Sequence, residues 1–296
     1  MIKIHSHTVL KVDAPIRLVD YVIGVFPQVM TKNAVKNSLK RKELLINSKR
    51  AESGFWIKVG DIIEYVDPQN RIPKEFPLDI EVVFSDDYLL VVNKPPGLVV
   101  SGNQFRTLEN ALVNSIKLSS QEDALKWAKP VHRLDSATSG LVLLAKTAEA
   151  HRKLSSMFKD KTIEKKYRAI VQGKPKELMI VKDSIEGKES ESELRLLESV
   201  HSVKSDFLSL IELAPKTGRT HQLRIHCKNI GHPIVGDKLY GEEGNIMNHK
   251  GLFLSAVSLR FMHPILNQEV FVELEQPKKF DALLKRESQW FNRIRN

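Results

Sequence analysis

The chain has 296 residues, of which 42% are hydrophobic, and this length suffices for one large domain and one small domain. Its formal net charge of +10 makes a polyanion the expected partner, either a nucleic acid or an anionic membrane. The single cysteine, Cys227, excludes a disulfide framework within the chain and favours a reducing compartment. The first residues lack the apolar core of a signal peptide, and no run approaches the roughly 20 apolar residues of a membrane span. We therefore expect a cytoplasmic protein that contacts RNA or DNA.

The first 66 residues are predicted to form a small basic module. Apolar residues recur at helical spacing from Ile16 to Phe26, where Pro27 ends the pattern. Thr31 can cap a second helix that reaches about Lys42. Short strands are expected after this helix, at residues 44–46 and 62–65.

The second helix carries a positive stripe, because Lys32, Lys36 and Lys40 recur at every fourth residue. On a lone helix such a stripe would be interpreted as a solvated face. Here it accompanies three further motifs, which are Arg17-Leu18-x-Asp20, Leu45-x-Asn47 and Val59-x-Asp61-x-Ile63. Together these features resemble the S4 RNA-binding module. The resemblance implies RNA contacts from Arg17, Lys32, Lys36, Lys40 and Arg41.

The resemblance to the S4 module has one departure, since Lys42-Glu43 stands where glycine often precedes the first strand. Residues 67–77 are then predicted to be a semi-rigid linker, because they contain three prolines and few apolar residues. The chain is thereby expected to divide into a module at 1–66 and a second domain at 78–296.

The second domain is predicted to begin with two strands, at 80–84 and 88–92, around a tight turn. The string Asn93-Lys94-Pro95-Pro96-Gly97 follows them, and taken alone it predicts a plain Pro-Gly turn. We expect no more than a supporting role for Lys94. Thr107 can cap a helix that extends to Lys117.

The most informative stretch runs from His132 to Lys146. A polar loop, His-Arg-Leu-Asp-Ser-Ala-Thr-Ser, leads through Gly140 into the apolar run 141–145, which predicts a buried strand. Catalytic groups are often carried by loops that a buried strand holds in place. An isolated Arg-x-Asp pair would instead be interpreted as a surface ion pair.

The whole string, His-Arg-Leu-Asp-x-x-Thr-Ser-Gly followed by four apolar residues and alanine, resembles the signature of the RluA-type pseudouridine synthases. In that family the aspartate is catalytic, which implies this role for Asp135. The string around Lys94 is similar to the family's first motif, although Ser101-Gly102 stands where His-Pro often follows. A kinase catalytic loop is excluded, because Leu134 is inserted and the glycine-rich loop and Asp-Phe-Gly are missing.

A second motif of the family is similar to the stretch at 165–173. Tyr167, Ala169 and Val171 alternate along it, which predicts a strand with these side chains on one face. A strand tyrosine usually packs in a core. The match to Lys-x-Tyr-x-Ala implies instead that Tyr167 contacts the target base.

A helix is predicted over residues 220–229, where apolar residues recur at helical spacing before Gly231 and Pro233. His221, His226, Cys227 and His232 do not predict a zinc site, because His221 and Cys227 lie on different helix faces and no second cysteine exists. The string Thr-Gly-Arg-Thr-His-Gln-Leu-Arg-x-His, followed by Gly-Asp-x-x-Tyr-Gly, resembles the family's third motif. The resemblance implies that Arg224 pairs with the catalytic aspartate.

The resemblance implies an α+β fold, in which a small S4-like module precedes a catalytic domain with a mixed, mainly antiparallel central sheet flanked by helices and loops. Further elements predicted in this domain are a helix capped by Thr147, an exposed acidic hairpin or loop at 183–193, a strand at 207–213, a late hairpin formed by 252–261 and 269–275, and a terminal helix at 277–295. The end of this terminal helix is aromatic and basic.

The implied activity is the isomerisation of specific uridines in structured RNA to pseudouridine, with no cofactor and no metal. Large-subunit ribosomal RNA is the expected partner, and no membrane or obligatory protein partner is inferred. Whether Asp135 attacks the sugar or the base, or assists elimination, stays open at this point. Arg133 is expected to occupy the space that the flipped uridine vacates. The implied substrate contacts are Arg133, His132, Thr138, Arg219, His221 and Gln222.

Two alternatives compete with the synthase. One is a catalytically silent RNA-binding or ribosome-assembly protein on the same fold. The other is acyl transfer by Ser136 or Ser139 with His221 and Asp135, which lacks the Gly-x-Ser-x-Gly elbow.

Overall fold

The computed structural model describes residues 4–26, 29–66, 72–241 and 250–295, and contacts divide the chain into two compact units, 1–72 and 73–296. The predicted helix end at Pro27 and the first part of the predicted linker, 67–71, lie outside the described residues. In the part of the chain that is described, no helix is both long enough and apolar enough to cross a membrane.

The first unit is a small sheet with two short helices packed against it. Its described elements are β1 Ile4–Thr8, α1 Leu18–Tyr21, α2 Lys32–Lys40, β2 Leu44–Ile46, β3 Lys49–Arg50 and β4 Ile62–Val66. The sheet order is β1-β4-β2-β3, and each pair is antiparallel. Leu18, Val35 and Ile63 are fully buried in the core between the helices and the sheet.

The first helix is shorter than its apolar pattern predicted. Helix α1 ends at Tyr21, and turns follow because Gly24 adopts a φ of 79°, which an α-helix does not accommodate. Leu18, Val22 and Phe26 nevertheless all reach the core. Helical spacing therefore predicted the buried face correctly and the helix length wrongly.

The turn before β2 keeps a glycine-like conformation without glycine, since Lys42 has a φ of 62°. Two residues of the S4-like motifs tie the neighbouring turns together. The side chain of Asn47 donates to Asp61 Oδ1 at 3.0 Å and accepts from the Ile62 N–H at 2.8 Å. The motif residues thus act on each other across the β2–β4 pair.

The second unit is built around a long mixed sheet. Its described elements are β5 Glu81–Ser85, β6 Leu89–Lys94, α3 Leu108–Ala111, β7 Ala124–Pro130, β8 Ser139–Thr147, α4 Ala148–Lys159, β9 Glu164–Gln172, β10 Leu178–Ile185, β11 Lys188–Ser202, β12 Asp206–Pro215, α5 Gln222–Asn229, β13 Leu254–Met262, β14 Glu269–Glu273 and α6 Lys278–Arg295.

The strand order of this sheet is β10-β11-β12-β9-β13-β8-β6-β5, while β14 pairs with β13 and β7 pairs with β8. Among the described strands, only the β8–β13 pair is parallel. The predicted fold class, α+β with a mixed and mainly antiparallel sheet, is confirmed.

Strand β8 runs through the middle of the unit and is the predicted buried strand. Leu141, Val142, Leu143 and Leu144 are fully buried, and they divide between two apolar clusters on opposite faces of the sheet. A Cβ on Gly140 would collide with the backbone of Ala256 on β13. Glycine is therefore required where the polar loop enters the sheet.

Three elements of the second unit differ from the predicted ones. Helix α3 ends at Ala111 rather than near Lys117, although Leu108, Ala111 and Leu112 are buried as predicted. The segment 183–193 forms a hairpin that turns at Glu186-Gly187, both with positive φ, and its strands extend far beyond the predicted range. Strand β7 was not predicted, because its side chains alternate only weakly between apolar and charged.

Candidate active site

A pocket of about 470 Å³ lies in the second unit, where the loop before β8, the strand β9 and the start of α5 meet. Asp135, Tyr167 and Arg224 all line it, so the fold brings these three predicted residues together. Among the described residues that line the pocket, Asp135 is the one carboxylate. The cations that line it are Arg133, Lys159, Lys161, Lys165, Lys216, Arg219 and Arg224.

A buried lysine, Lys94, is hydrogen-bonded to the loop that carries Asp135. Lys94 Nζ donates to the carbonyls of Pro95 and Leu98, each at 2.9 Å, and to that of Ser136 at 3.2 Å. The Gly97 N–H donates to the same Ser136 oxygen at 2.6 Å. Burial lowers the pKa of Lys94 to about 8, although the nearby charge of Asp135 acts in the opposite direction.

Arg224 sits between two carboxylates, and the nearer one is Asp237. Arg224 Nε and Nη2 each donate to an Asp237 oxygen at 2.7 Å, whereas Nη1 lies 3.5 Å from Asp135 Oδ2. Burial opposes the charge on Arg224, but the hydrogen bonds and charge of Asp237 outweigh it and raise the pKa of Arg224. Arg224 is thus a permanent cation whose direction Asp237 fixes.

Asp237 is itself fully engaged in the protein interior. Its Oδ1 also accepts the backbone N–H groups of Leu239 and Tyr240, at 2.9 and 3.1 Å. Burial raises the pKa of this carboxyl. The hydrogen bonds from Arg224 and from the two backbone groups lower the pKa by a larger amount, so it ends below its ordinary value. The ion pair therefore remains ionised at neutral pH.

His221 lies on the other side of Asp135. Its Nε2 is 3.7 Å from Asp135 Oδ2, and its Nδ1 is 3.0 Å from the Tyr240 hydroxyl. His221 is the residue before α5 and has a φ of 55°, a left-handed conformation that costs free energy for a residue with a Cβ. The strained backbone thus occurs at a residue whose ring lies between Asp135 and Tyr240.

Tyr167 forms part of the pocket wall from β9. Burial and the negative charge of Asp135 raise the pKa of the Tyr167 phenol, so the hydroxyl keeps its proton. The ring packs against residues of two apolar clusters, which fixes its plane. A protonated phenol on a fixed ring can hydrogen-bond and stack at the same time.

Two predicted substrate contacts use their polar atoms inside the protein. His132 Nε2 accepts the Leu143 N–H at 2.9 Å, its ring stacks on Phe158, and burial, with a further contribution from Lys165, lowers the pKa of His132 to about 3. The Gln222 amide bonds with Thr217, Arg219, Glu191 and Ser192. The geometry therefore favours positioning roles for both side chains.

The remaining predicted substrate contacts differ in their exposure and in whether they already have hydrogen-bond partners within the protein. Arg133 is exposed and has no hydrogen-bond or ion-pair partner within the described ranges. Arg219 lies at the rim, where its Nε donates to the carbonyl of Glu189 at 3.0 Å. Thr138 is buried, and its N–H closes a turn on the Asp135 carbonyl at 3.1 Å.

The residues predicted to bind RNA in the first unit fall into two groups. Lys32 lies 2.6 Å from Asp20, and Arg41 makes two hydrogen bonds to Glu43. The other two lysines of the stripe, Lys36 and Lys40, are exposed and have no partner in the described part of the chain. Arg17 is exposed and lies 5.2 Å above the ring of Trp56.

The described residues contain no group of three or more His, Cys, Asp or Glu side chains that could hold a metal ion. Cys227 is fully buried, and burial raises the pKa of its thiol to about 12.

Sequence reasoning missed Asp237 and Tyr240, although both belong to the Gly-Asp-x-x-Tyr-Gly string that completed the third motif. The missed signal was an Asp three residues before a Tyr, directly after a positive-φ glycine, Gly236. The lysines at 159, 161 and 165 were also missed, and their signal was a basic cluster before β9.

Comparison with known proteins identifies the family to which the chain belongs. The RNA pseudouridylate synthase family model matches residues 88–229. Ribosomal large subunit pseudouridine synthase C of Rickettsia prowazekii is 31% identical over 304 residues, covering 92% of this chain and 97% of that protein. Ribosomal large subunit pseudouridine synthase D of Zymomonas mobilis is 37% identical over 251 residues, covering 74% of this chain and 75% of that protein.

A solved structure is similar to part of this chain in fold and in sequence. Human RNA pseudouridylate synthase domain containing 1 aligns with a TM-score of 0.57 and 28% identity, covering 67% of this chain and 84% of that one. The chain belongs to the RluA-type RNA pseudouridine synthase family and is an RNA-modifying isomerase.

Proposed function

We propose that this chain converts uridines of large-subunit ribosomal RNA to pseudouridine, with Asp135 as the catalytic carboxylate. The observation that carries the assignment is the position of Asp135 as the one described carboxylate in a pocket lined by seven lysine and arginine side chains. The choice of RNA is supported by the relatives above, whose names specify the large ribosomal subunit.

The reaction is balanced without a cofactor. The N1–C1′ bond of the uridine breaks, the uracil rotates, and C5 forms a bond to C1′. N1 gains a proton and C5 loses one, so the product is an isomer of the substrate. An ionised Asp135 can act as the nucleophile or the base in this sequence, and Arg224 at 3.5 Å compensates its charge.

The target uridine must leave its stack before Asp135 can reach it, at a cost of a few kcal/mol. Arg133 is suited to fill the vacated space, because it is exposed, beside Asp135 in sequence and without a partner in the described residues. Tyr167 is suited to receive the extruded base, since stacking on an aromatic ring contributes about 1–3 kcal/mol.

Residues 1–66 are proposed to bind RNA as an S4-like module, separately from the chemistry. Lys36 and Lys40 support this role, because both are exposed on one helix face and neither is neutralised by a described carboxylate. Phosphate contacts of this kind add affinity and hold the enzyme in register without reading the sequence. Residues 78–296 would then carry the catalytic site alone.

The test compares Asp135→Asn with the wild-type protein on unmodified large-subunit ribosomal RNA transcribed in vitro. Small-subunit ribosomal RNA and total transfer RNA serve as competing substrates. We expect pseudouridine at defined positions of the large-subunit RNA, no product with Asp135→Asn, and RNA binding within about threefold of wild type for that variant. Asp79→Asn is the control, because Asp79 is an exposed carboxylate outside the pocket.

Substantial turnover by Asp135→Asn would remove this residue from the mechanism. Product on transfer RNA alone would replace the proposed substrate. A wild-type protein that binds the large-subunit RNA tightly but modifies none of the three RNAs would favour the silent ribosome-assembly protein.

A further inference from the structure

We propose that a basic groove beside the C-terminal helix binds the RNA strand that flanks the target uridine. The groove has a volume of about 540 Å³ and lies between α6 and the turn that joins β11 to β12. This inference rests on the RNA substrate proposed above, and it assigns a second contact surface within the catalytic unit.

One face of α6 supplies the groove. Arg286, Trp290 and Arg293 stand at positions i, i+4 and i+7, so they follow one another along the helix surface. The indole of Trp290 is 41% exposed, which leaves a large aromatic face open between two guanidinium groups. An arginine–tryptophan–arginine stripe matches alternating phosphates and bases.

The adjacent, buried face of α6 holds this stripe in place. Phe280 and Leu284 are buried in the apolar cluster of the second unit, and Glu287 is 3% exposed. The Ser202 hydroxyl donates to Glu287 Oε2 at 2.9 Å, which anchors the helix to the end of β11. Trp290 therefore follows, within one helical turn, a part of α6 that is anchored to the second unit.

Most of the positive charge of the groove has no compensating carboxylate among the described residues. Lys204, Lys250 and Arg293 have no hydrogen-bond or ion-pair partner anywhere in the described ranges. Of the described residues that line the groove, Glu287 is the one carboxylate, and it is already bonded to Ser202 and to Arg286. Free cations around an exposed indole fit a polyanion that also offers flat rings, which describes single-stranded RNA.

One end of the groove adjoins a cavity that Asp135 also lines. Lys250 is followed by Gly251 and Leu252, and these two line a cavity that Asp135 and Arg224 also line. Two residues span at most about 7 Å, so the backbone of Lys250 lies within that distance of the cavity wall. An RNA strand that leaves the active site on this side can therefore continue along Lys250 into the groove.

The test uses the full chain with two matched pairs of substitutions. Lys204→Ala/Arg293→Ala removes two groove cations, and Lys117→Ala/Arg152→Ala removes one lysine and one arginine that are exposed elsewhere on the second unit. Single-turnover pseudouridine formation on transcribed large-subunit RNA is measured against enzyme and salt concentration, and filter binding of the same RNA is measured separately.

We expect the groove pair to raise the half-saturating enzyme concentration about tenfold and to reduce the slope of log affinity against log salt by roughly 1.5. The maximal rate should stay within about twofold of wild type, because no groove residue touches the reacting atoms. The control pair, Lys117→Ala/Arg152→Ala, should change neither the half-saturating enzyme concentration nor the salt slope. Trp290→Ala should also weaken binding about tenfold, whereas Trp290→Phe should retain most of the affinity, since a ring remains for stacking.

Unchanged affinity and salt slope for the groove pair and for Trp290→Ala, with a wild-type protein that is active, would overturn the groove and leave the synthase intact. The same unchanged RNA affinity and salt slope would be expected if the groove bound an acidic protein instead of RNA. Loss of filter binding by the groove variants, with a wild-type protein that makes no pseudouridine, would support the groove and refute the proposed substrate.

Discussion

Arg224 and Asp237 form a buried two-pronged ion pair, in which both nitrogen–oxygen distances are 2.7 Å. Arg224 Nη1 is left to face Asp135, at 3.5 Å. The cation of the site is therefore fixed by a buried carboxylate that does not line the 470 Å³ pocket, and Asp237 is a positioning residue. Fork geometry explains why arginine suits this position, since lysine could not hold Asp237 with two parallel bonds and face Asp135 as well.

Removing one member of this pair should destabilise the fold more than removing both. Asp237→Leu leaves the buried Arg224 with only Asp135, at 3.5 Å, to compensate its charge and should lower the free energy of unfolding by about 3–5 kcal/mol. Arg224→Met/Asp237→Leu replaces both charges with apolar groups and should recover most of that loss. Neither variant should form pseudouridine at more than about 1% of the wild-type rate, because neither directs a cation at Asp135.

Urea unfolding and single-turnover kinetics measure the two effects separately. Asp79→Leu is the matched control, because Asp79 is exposed and lacks a hydrogen-bond partner among the described residues. Recovery of near-wild-type activity in the double variant would show that Arg224 acts only through stability. RNA affinity should remain close to wild type in every folded variant.

Lys94 should make the stability of the protein rise at alkaline pH. Its pKa is about 8 in the folded protein and about 10.5 when unperturbed. Between these values the unfolded chain binds a proton that the folded protein has released, so this contribution increases with pH. It is smallest below pH 8, where Lys94 is protonated in both states, and the full change is at most about 3 kcal/mol.

The measurement is the difference in unfolding free energy between wild type and Lys94→Met at pH 7 and pH 10. At pH 7 the variant should be less stable by about 1–3 kcal/mol, since three carbonyls, including that of Ser136, lose their donor. The variant should also turn over more slowly, because the loop that carries Asp135 loses its support. A difference that does not vary with pH would mean that Lys94 titrates at its ordinary pKa.

Sequence motifs selected residues that the fold brings to one pocket, but they could not rank the contacts of those residues. Asp135, Tyr167 and Arg224 each stand inside a contiguous string, so a resemblance was enough to select them. Arg224 was expected to pair with Asp135, but the stronger partner is Asp237, 13 residues away along the chain. Gln222 was expected to touch substrate for the same reason, and its amide is engaged with four neighbours. Motif membership does not reveal where a polar atom finds its partner.

The sequence predicted those elements of the fold that depend on interactions between residues close together in the chain. Thr31, Thr107 and Thr147 were predicted as helix caps, and each accepts the N–H three residues ahead. The buried strand β8 followed from its apolar run. Strand β7 was missed because its pairing with β8, and not its own pattern, makes it a strand.

Gly140→Ala should be far more destabilising than a glycine substitution that only incurs a backbone penalty. Gly140 has a φ of 107°, and an added Cβ would collide with the carbonyl of Ala256. Gly187 has a φ of 71° with nothing near its Cβ position, so Gly187→Ala reports the backbone penalty alone, about 1–2 kcal/mol. Thermal unfolding of both variants should show the larger loss for Gly140→Ala, together with lost activity. Equal losses would mean that β8 and β13 can separate without cost.

The lysine stripe of α2 should contribute unequally to RNA binding. Lys36 and Lys40 are exposed without described partners, whereas Lys32 lies 2.6 Å from Asp20 and is already compensated. Lys36→Ala/Lys40→Ala should therefore reduce the salt slope of RNA binding by roughly 1.5 to 2 and weaken affinity about tenfold or more, with an unchanged maximal rate. Lys32→Ala should reduce the slope by less than half of the amount expected for one free lysine.

Filter binding on transcribed large-subunit RNA between 50 and about 200 mM salt measures these slopes. Asp20→Asn provides a sharper check, because it releases Lys32 from its partner and should increase the slope, while Lys32→Ala/Asp20→Asn should not. The argument depends on phosphate contacts by the helix face. Equal effects of Lys32→Ala and Lys36→Ala would show that the stripe acts through net charge alone, and no effect of either would remove α2 from the RNA-binding surface.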